Sequence, residues 1–186
     1  VRLFVALEIP SAVRENLAEL ICELRALAPQ AKWVRAENLH VTLKFIGEVP
    51  DTKLEAIRKT LSGMHSERPV TLDFRGLGFF PNEKHPRVFW TGIEASANLK
   101  ALAADLESAA EKFEIPREKR PFSPHLTLAR FESPKLTDPF RAAIAENAAR
   151  DFGSLRTNHF HLIESKLKPA GAEYTTLQSF PFAAEA

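Results

Sequence analysis

The chain has 186 residues, 45% of them hydrophobic, which is enough to bury a substantial core and too apolar for extended disorder. Its 25 Lys and Arg nearly balance 24 Asp and Glu for a net charge of +1, so it lacks the global basic field of a protein that coats long nucleic acids, and any anion must be gripped locally. One cysteine, Cys22, excludes an intramolecular disulfide; no apolar run approaches the roughly 20 residues of a membrane span, and Val1 to Glu8 is too short and too soon charged for a signal peptide, so a cytoplasmic protein with no membrane partner is expected.

Hydrophobic periodicity predicts a strand over about Arg2 to Ile9, then a helix with Ser11 as N-cap and Leu17, Leu20, Ile21 and Leu24 on its apolar side. Cys22 falls in that helix and is expected to be a small buried apolar residue. A strand from about Val34 to Val49 follows, then a helix opened by Pro50-Asp51 and carrying Leu54, Ile57 and Leu61. Val70 to Phe74 alternates like another strand, and Gly76, Gly78 and Pro81 break the pattern into a loop. The series then restarts with a strand at Arg87 to Ile93, a helix from Ser96 through Leu99, Leu102 and Leu106, a strand at Pro124 to Arg130, and a helix near Pro139 to Ala149. Strands near Thr157 to Ser165 and Tyr174 to Phe180 close the chain.

One tripeptide pattern occurs twice, as His40-Val41-Thr42 and His125-Leu126-Thr127, each inside a β-branched, apolar run. Residues two apart on a strand share a face, so each histidine has a threonine hydroxyl beside it while Val41, Leu43, Leu126 and Leu128 point into a core. Imidazole exchanges a proton near neutral pH and a hydroxyl donates to an anionic oxygen, which suggests acid–base chemistry on a phosphate. The copies are equivalent by position: His125 follows His40 by 85 residues, as Thr127 follows Thr42, Arg87 follows Arg2 and Ser96 follows Ser11. A constant offset across strand, helix and motif indicates a tandem duplication, with pseudo-repeats of about 1–83 and 84–186 forming two lobes related by an approximate twofold axis. Such an axis would set the two histidines facing each other across a central cleft.

These residues resemble the two-histidine phosphoesterases, and within them the RNA 2′,3′-cyclic phosphodiesterases, also named 2′-5′ RNA ligases. The resemblance runs through His40 to Gly47, Pro86 to Trp90, Pro124 to Arg130, and Glu164 to Gly171 with Tyr174, Leu177 and Phe180. It implies a single bilobal α+β domain, two antiparallel sheets lining a cleft with helices outside, and no required metal or nucleotide cofactor. By the same analogy His40 is the proton donor to the leaving 3′ oxygen and His125 the proton acceptor that activates water, leaving a 2′-phosphate. Thr42 and Thr127 would hold the non-bridging oxygens and Arg130 would stabilise the charge that builds there. The substrate class implied is RNA with 2′,3′-cyclic phosphate ends, tRNA fragments among them, and the reaction run backwards would join such an end to a 5′-hydroxyl.

Two other functions fit the residues: a phosphodiesterase of small cyclic-phosphate nucleotides, which suits the near-zero net charge, and a non-catalytic module that binds RNA ends. Strict alternation places Arg130 on the face opposite His125, so that reaching a phosphate would require a bulge, and places Lys44 on the face of His40. His159 and His161 share a strand face without an acidic or cysteine partner at ligand spacing, as expected of ordinary partly exposed histidines; His65 and His85 are expected at the surface. Gly76, Gly78 and Gly92 precede no P-loop lysine motif, and Phe79 or Phe122 is the expected aromatic for stacking on a base. A duplicated chain already holds the internal symmetry that a dimer would otherwise supply, which favours a monomer.

Overall fold

Leu3, Val5 and Leu7 alternate with Phe4 and Ala6 along β1 (Arg2–Glu8), and the two sets enter different clusters on opposite faces. The structure is a computed structural model that describes residues 1–132 and 135–184. Helix α1 (Ser11–Leu27) follows, with Val13, Leu17, Leu20, Ile21 and Leu24 buried at helical spacing. Its N-cap is Pro10, so Ser11 is the first helical residue. Cys22 is exposed, contrary to expectation, because a residue one step past Ile21 turns by about 100° and leaves the buried stripe.

The expected long strand from Val34 begins only at His40, and a two-residue strand just before Val34 belongs to the other sheet. β2 (Lys32–Trp33) pairs antiparallel with the second histidine strand, and Val34 N–H donates to Leu128 O at 2.9 Å. A 3-10 turn over Ala36–Asn38 then carries the chain across, and β3 (His40–Glu48) pairs with β1. Helix α2 (Leu54–Ser62) comes next after a second short turn.

The predicted loop at Gly76 and Gly78 is instead strand. β4 (Val70–Phe80) runs through both glycines beside β5 (Val88–Ala95), with a bulge where Gly76 takes φ 78°. At Gly78 a Cβ would come within 2.3 Å of the Trp90 ring, so here glycine marks close packing and not a turn.

Helix α3 (Ala97–Glu111) leads by a long connection to β6 (His125–Arg130). Helix α4 (Asp138–Asn147) is capped by Thr137, which accepts from Phe140 N–H. β7 (Asp151–Thr157) was not predicted, since only Phe152 and Leu155 are buried along an otherwise polar strand at a sheet edge. β8 (His159–Lys168) and β9 (Gly171–Pro181) form the final hairpin.

The chain is thus α+β, with two antiparallel sheets ordered β3-β1-β8-β9 and β2-β6-β5-β4-β7. Leaving out β2, the sheets match strand for strand, yet the halves exchange partners: β4 pairs beside β5 and β7, while β8 and β9 complete the sheet of β1. α1 packs on β7 and α4, and α3 on β3 and α2. The main core holds Leu17, Leu20, Val41, Phe74, Phe89, Leu106, Leu126, Phe140 and Phe160, each such side chain contributing roughly 1.5–3 kcal/mol when buried. Phe4, Ala6 and Ile163 form the second cluster on the other face of the first sheet, with Tyr174 of β9 packed onto it. Ala172 O accepts from both Arg35 Nη2 and Asn38 Nδ2 at 2.8 Å, so β9 reaches over to the turn that precedes His40.

Candidate active site

Each histidine is the first residue of its strand, and each is held the same way. His40 Nδ1 lies 3.2 Å from Asn38 O, and His125 Nδ1 lies 2.8 Å from Ser123 O, in both cases the carbonyl two residues back. A carbonyl can only accept, so the shared contact assigns the proton to Nδ1 and leaves Nε2 to exchange a proton with a ligand. Aromatic rings meet both imidazoles edge to face: Tyr174 at 5.9 Å from His40, and Phe80 at 4.8 Å from His125. Thr42 and Thr127 follow at the next position on the same face, each half-buried between fully buried neighbours.

Both strands then bulge at equivalent residues. In the β1–β3 ladder Val5 pairs with Lys44 but Ala6 with Thr42, which leaves Leu43 as the extra residue. In the β5–β6 ladder Phe89 pairs with Ala129 but Trp90 with Thr127, which leaves Leu128 as the extra residue, 85 positions after Leu43. A bulge sets two successive side chains on one side, so Leu43 with Lys44 and Leu128 with Ala129 all turn inward and are buried. Beyond it the alternation is reversed. Arg130 therefore shares the face of His125 and Thr127, where strict period two placed it opposite. Its counterpart Phe45 shares the face of His40, with its ring 6.1 Å from Phe4 and 59% of its surface exposed.

The same bulge removes Lys44 from the histidine face. Lys44 is 3% exposed and its Nζ lies 2.8 Å from Glu107 Oε1 on α3, while also donating to Pro116 O at 3.0 Å. Glu107 Oε2 in turn accepts from Glu118 N–H, so this ion pair fastens the connection that leads into His125.

The histidines differ in their surroundings. Burial holds the His40 pKa below 6.5; the Asn38 carbonyl opposes this, Arg14 adds to it, Glu8 opposes it and His161 adds to it. His161 is also held below 6.5, chiefly by burial, with Glu8 opposing and His159 adding. His161 Nδ1 meets Ser179 Oγ at 2.7 Å, its Nε2 lies 3.7 Å from Glu8 Oε2, and His159 Nδ1 contacts Asn158 Oδ1. Among the described residues no group of three or more His, Cys, Asp and Glu side chains converges as a metal site. His65 and His85 are exposed.

Of the two aromatics singled out for base stacking, Phe79 is buried and Phe122 is half-buried. Phe79 is 5% exposed and packs 4.9 Å from Phe89 in the main core, and Phe122 packs against that core. Among the described residues, the phenylalanine ring that is exposed is Phe45, at 59%. The duplication carries its signal, since the offset of 85 makes it the counterpart of Arg130, but its face depends on a bulge that simple alternation hides. The successive apolar residues Leu128-Ala129 are a trace in the sequence of the equivalent bulge in the second histidine strand.

The sequence matches the family model described as LigT like Phosphoesterase twice, over residues 7–90 and 93–174, one match to each half. It is 35% identical over 184 residues to an RNA 2′,3′-cyclic phosphodiesterase of Methanothermobacter thermautotrophicus, covering 97% of this chain and 98% of that protein. It is also 35% identical to one of Thermus thermophilus, covering 99% and 91% respectively. Among solved structures it superposes with a TM-score of 0.82 on a Thermus thermophilus protein, TT0787, at 33% identity and 98% coverage of both chains. E. coli LigT complexed with 3′-AMP matches with a TM-score of 0.77 at 29% identity and 97% coverage of both. With both halves matched by one family model and relatives aligned over nearly their whole length, the chain belongs to the LigT-like phosphoesterase family.

Proposed function

We propose that this protein hydrolyses the 2′,3′-cyclic phosphate at RNA 3′ ends to a 2′-phosphate by paired general acid–base catalysis. The observation that carries the reading is the identical presentation of His40 and His125, both fixed at Nδ1 by a carbonyl and, among the described residues, both without a hydrogen-bond partner at Nε2. In-line displacement at phosphorus needs a base on one side and an acid on the other. His125 Nε2 takes a proton from water as its oxygen bonds to phosphorus. His40 Nε2 gives its proton to O3′ as the P–O3′ bond breaks, and exchange with solvent returns both imidazoles to their starting states.

Thr42 and Thr127 donate hydrogen bonds to the non-bridging oxygens, and Arg130 stabilises the negative charge that grows there. Phe45, exposed at the counterpart of the Arg130 position, supplies a face for the terminal base. The relatives named above as RNA 2′,3′-cyclic phosphodiesterases support the substrate, and the chemistry of both histidines requires no metal. Reversal of the same steps with a 5′-hydroxyl in place of water gives a 2′-5′ linkage, which excess water disfavours.

The deciding assay follows hydrolysis of an oligonucleotide 2′,3′-cyclic phosphate in the presence of chelator, with wild type beside His40→Ala and His125→Ala. Wild type should yield the 2′-phosphate, and each variant should lose about 10²–10⁴ in kcat. Unchanged activity in both variants, or loss of wild-type activity in chelator, overturns the mechanism. The near-zero net charge and the 3′-AMP complex of E. coli LigT favour a second reading, a small-nucleotide phosphodiesterase. Equal kcat/KM for a mononucleotide and a longer cyclic phosphate would establish that reading in its place.

A further inference from the structure

The pseudo-symmetry that makes His40 and His125 equivalent fails at the residue directly across the sheet from each. Glu8 is the register partner of His40, and Gly92 is the register partner of His125. Glu8 follows Phe4 and Ala6 on the His40 face of β1, since Leu3, Val5 and Leu7 take the opposite face into the main core. No side chain can occupy the equivalent place opposite His125: a Cβ on Gly92 would lie 2.7 Å from Arg75 O, inside backbone contact distance. One histidine therefore has a carboxylate as its cross-strand neighbour, and packing forbids one to the other.

We propose that Glu8 is a positioning residue that favours protonation of His40 against the burial that disfavours it, and that packing denies the same carboxylate to His125. The role of protonated His40 as the acid rests on the phosphodiesterase reading above. The groups facing His40 come from four elements: Glu8 from β1, Arg14 from α1, His161 with His159 behind it from β8, and Tyr174 from β9. Among these Glu8 is the one anion at neutral pH, and it opposes the burial and the Arg14 charge that favour neutral imidazole. Arg14 is held off by donating to Ala36 O. His161 Nε2 lies 3.7 Å from Glu8 Oε2 and burial favours its neutral form, so it stands beside the carboxylate without cancelling its charge. Ser179 fixes the other nitrogen of that ring.

Glu8 is 63% exposed at its side chain, so solvent screens its effect on His40. The test follows the His40 and His125 ring protons by NMR titration in wild type, Glu8→Gln and Glu8→Asp, with kcat measured above the His40 pKa. Glu23→Gln, an exposed change on α1, controls for net charge. In Glu8→Gln the His40 titration should move down by about half a unit while His125 stays, and kcat above that pKa should fall about threefold as less His40 is protonated. Glu8→Asp should recover most of the shift. An unmoved His40, or equal movement of both histidines in Glu8→Gln and Glu23→Gln, overturns the proposal. A rise in kcat also overturns it, because that would make His40 the base. Failure of the wild type to cleave any cyclic phosphate would refute the phosphodiesterase reading instead, and the titration would still decide whether Glu8 governs His40.

Discussion

Lys44→Met separates a structural lysine from a substrate-binding one. The side chain is 2% exposed, and its removal leaves Glu107, 18% exposed, without its counter-charge and Pro116 O without its donor. Breaking a buried ion pair by removing one partner costs about 3–5 kcal/mol, and partial access of water to Glu107 puts this case at about 3 kcal/mol. Methionine fills most of the lysine volume, so little of that loss comes from a cavity. For a chain of this size about 3 kcal/mol lowers the Tm by about 6–12 °C. Urea unfolding at pH 7.5 measures the loss, and Lys44→Met with Glu107→Gln should recover about half of it because no buried charge is left alone. Activity assayed well below the new Tm should keep kcat/KM for a cyclic phosphate within about twofold, because the bulge at Leu43 turns Lys44 away from His40. A stable variant with a strongly raised KM would place Lys44 in the substrate site and refute the inverted alternation.

The bulges make a paired prediction at Arg130 and Phe45. Arg130→Gln should lower kcat by about 10²-fold through loss of transition-state charge stabilisation, whereas Phe45→Ala should chiefly raise KM, by about 10-fold for one lost stacking contact. Steady-state kinetics on one oligonucleotide tests both, and equal effects on kcat would contradict the division of roles. Stability should also fall as pH drops through the histidine range. His40 and His161 have folded pKa values below 6.5, so the unfolded chain takes up their protons first; the folded state is fully favoured above 6.5 and loses that advantage as pH falls through the folded values. Urea midpoints at pH 7.5 and pH 5 should show this slope, and His161→Asn should flatten it; a steeper slope in the variant would reverse the sign assigned to burial.

Helices α1 to α4 and the strands bearing Leu7, Val41, Phe89 and Leu126 are legible in the chain because their apolar residues recur at the helical or strand period. β7 is not, because a polar edge strand buries too little to print a pattern, and β4 is masked by glycines that serve a bulge and the Trp90 ring. The pairing of Lys32 and Trp33 is not legible, since a two-residue strand is made by the neighbouring strand and not by local sequence.

His40, His125, Thr42 and Thr127 are set by local pattern, because a histidine two residues before a threonine on a strand shares its face wherever that strand goes, and the offset of 85 makes the two sets equivalent. Tertiary structure decides the rest. The faces of Arg130, Phe45 and Lys44 follow from bulges that exist only when a partner strand is one residue short of the count, and the carboxylate beside His40 alone follows from cross-strand register. Register is a relation between distant segments, so no single segment can encode it, and it is register that gives two equivalent motifs different cross-strand neighbours.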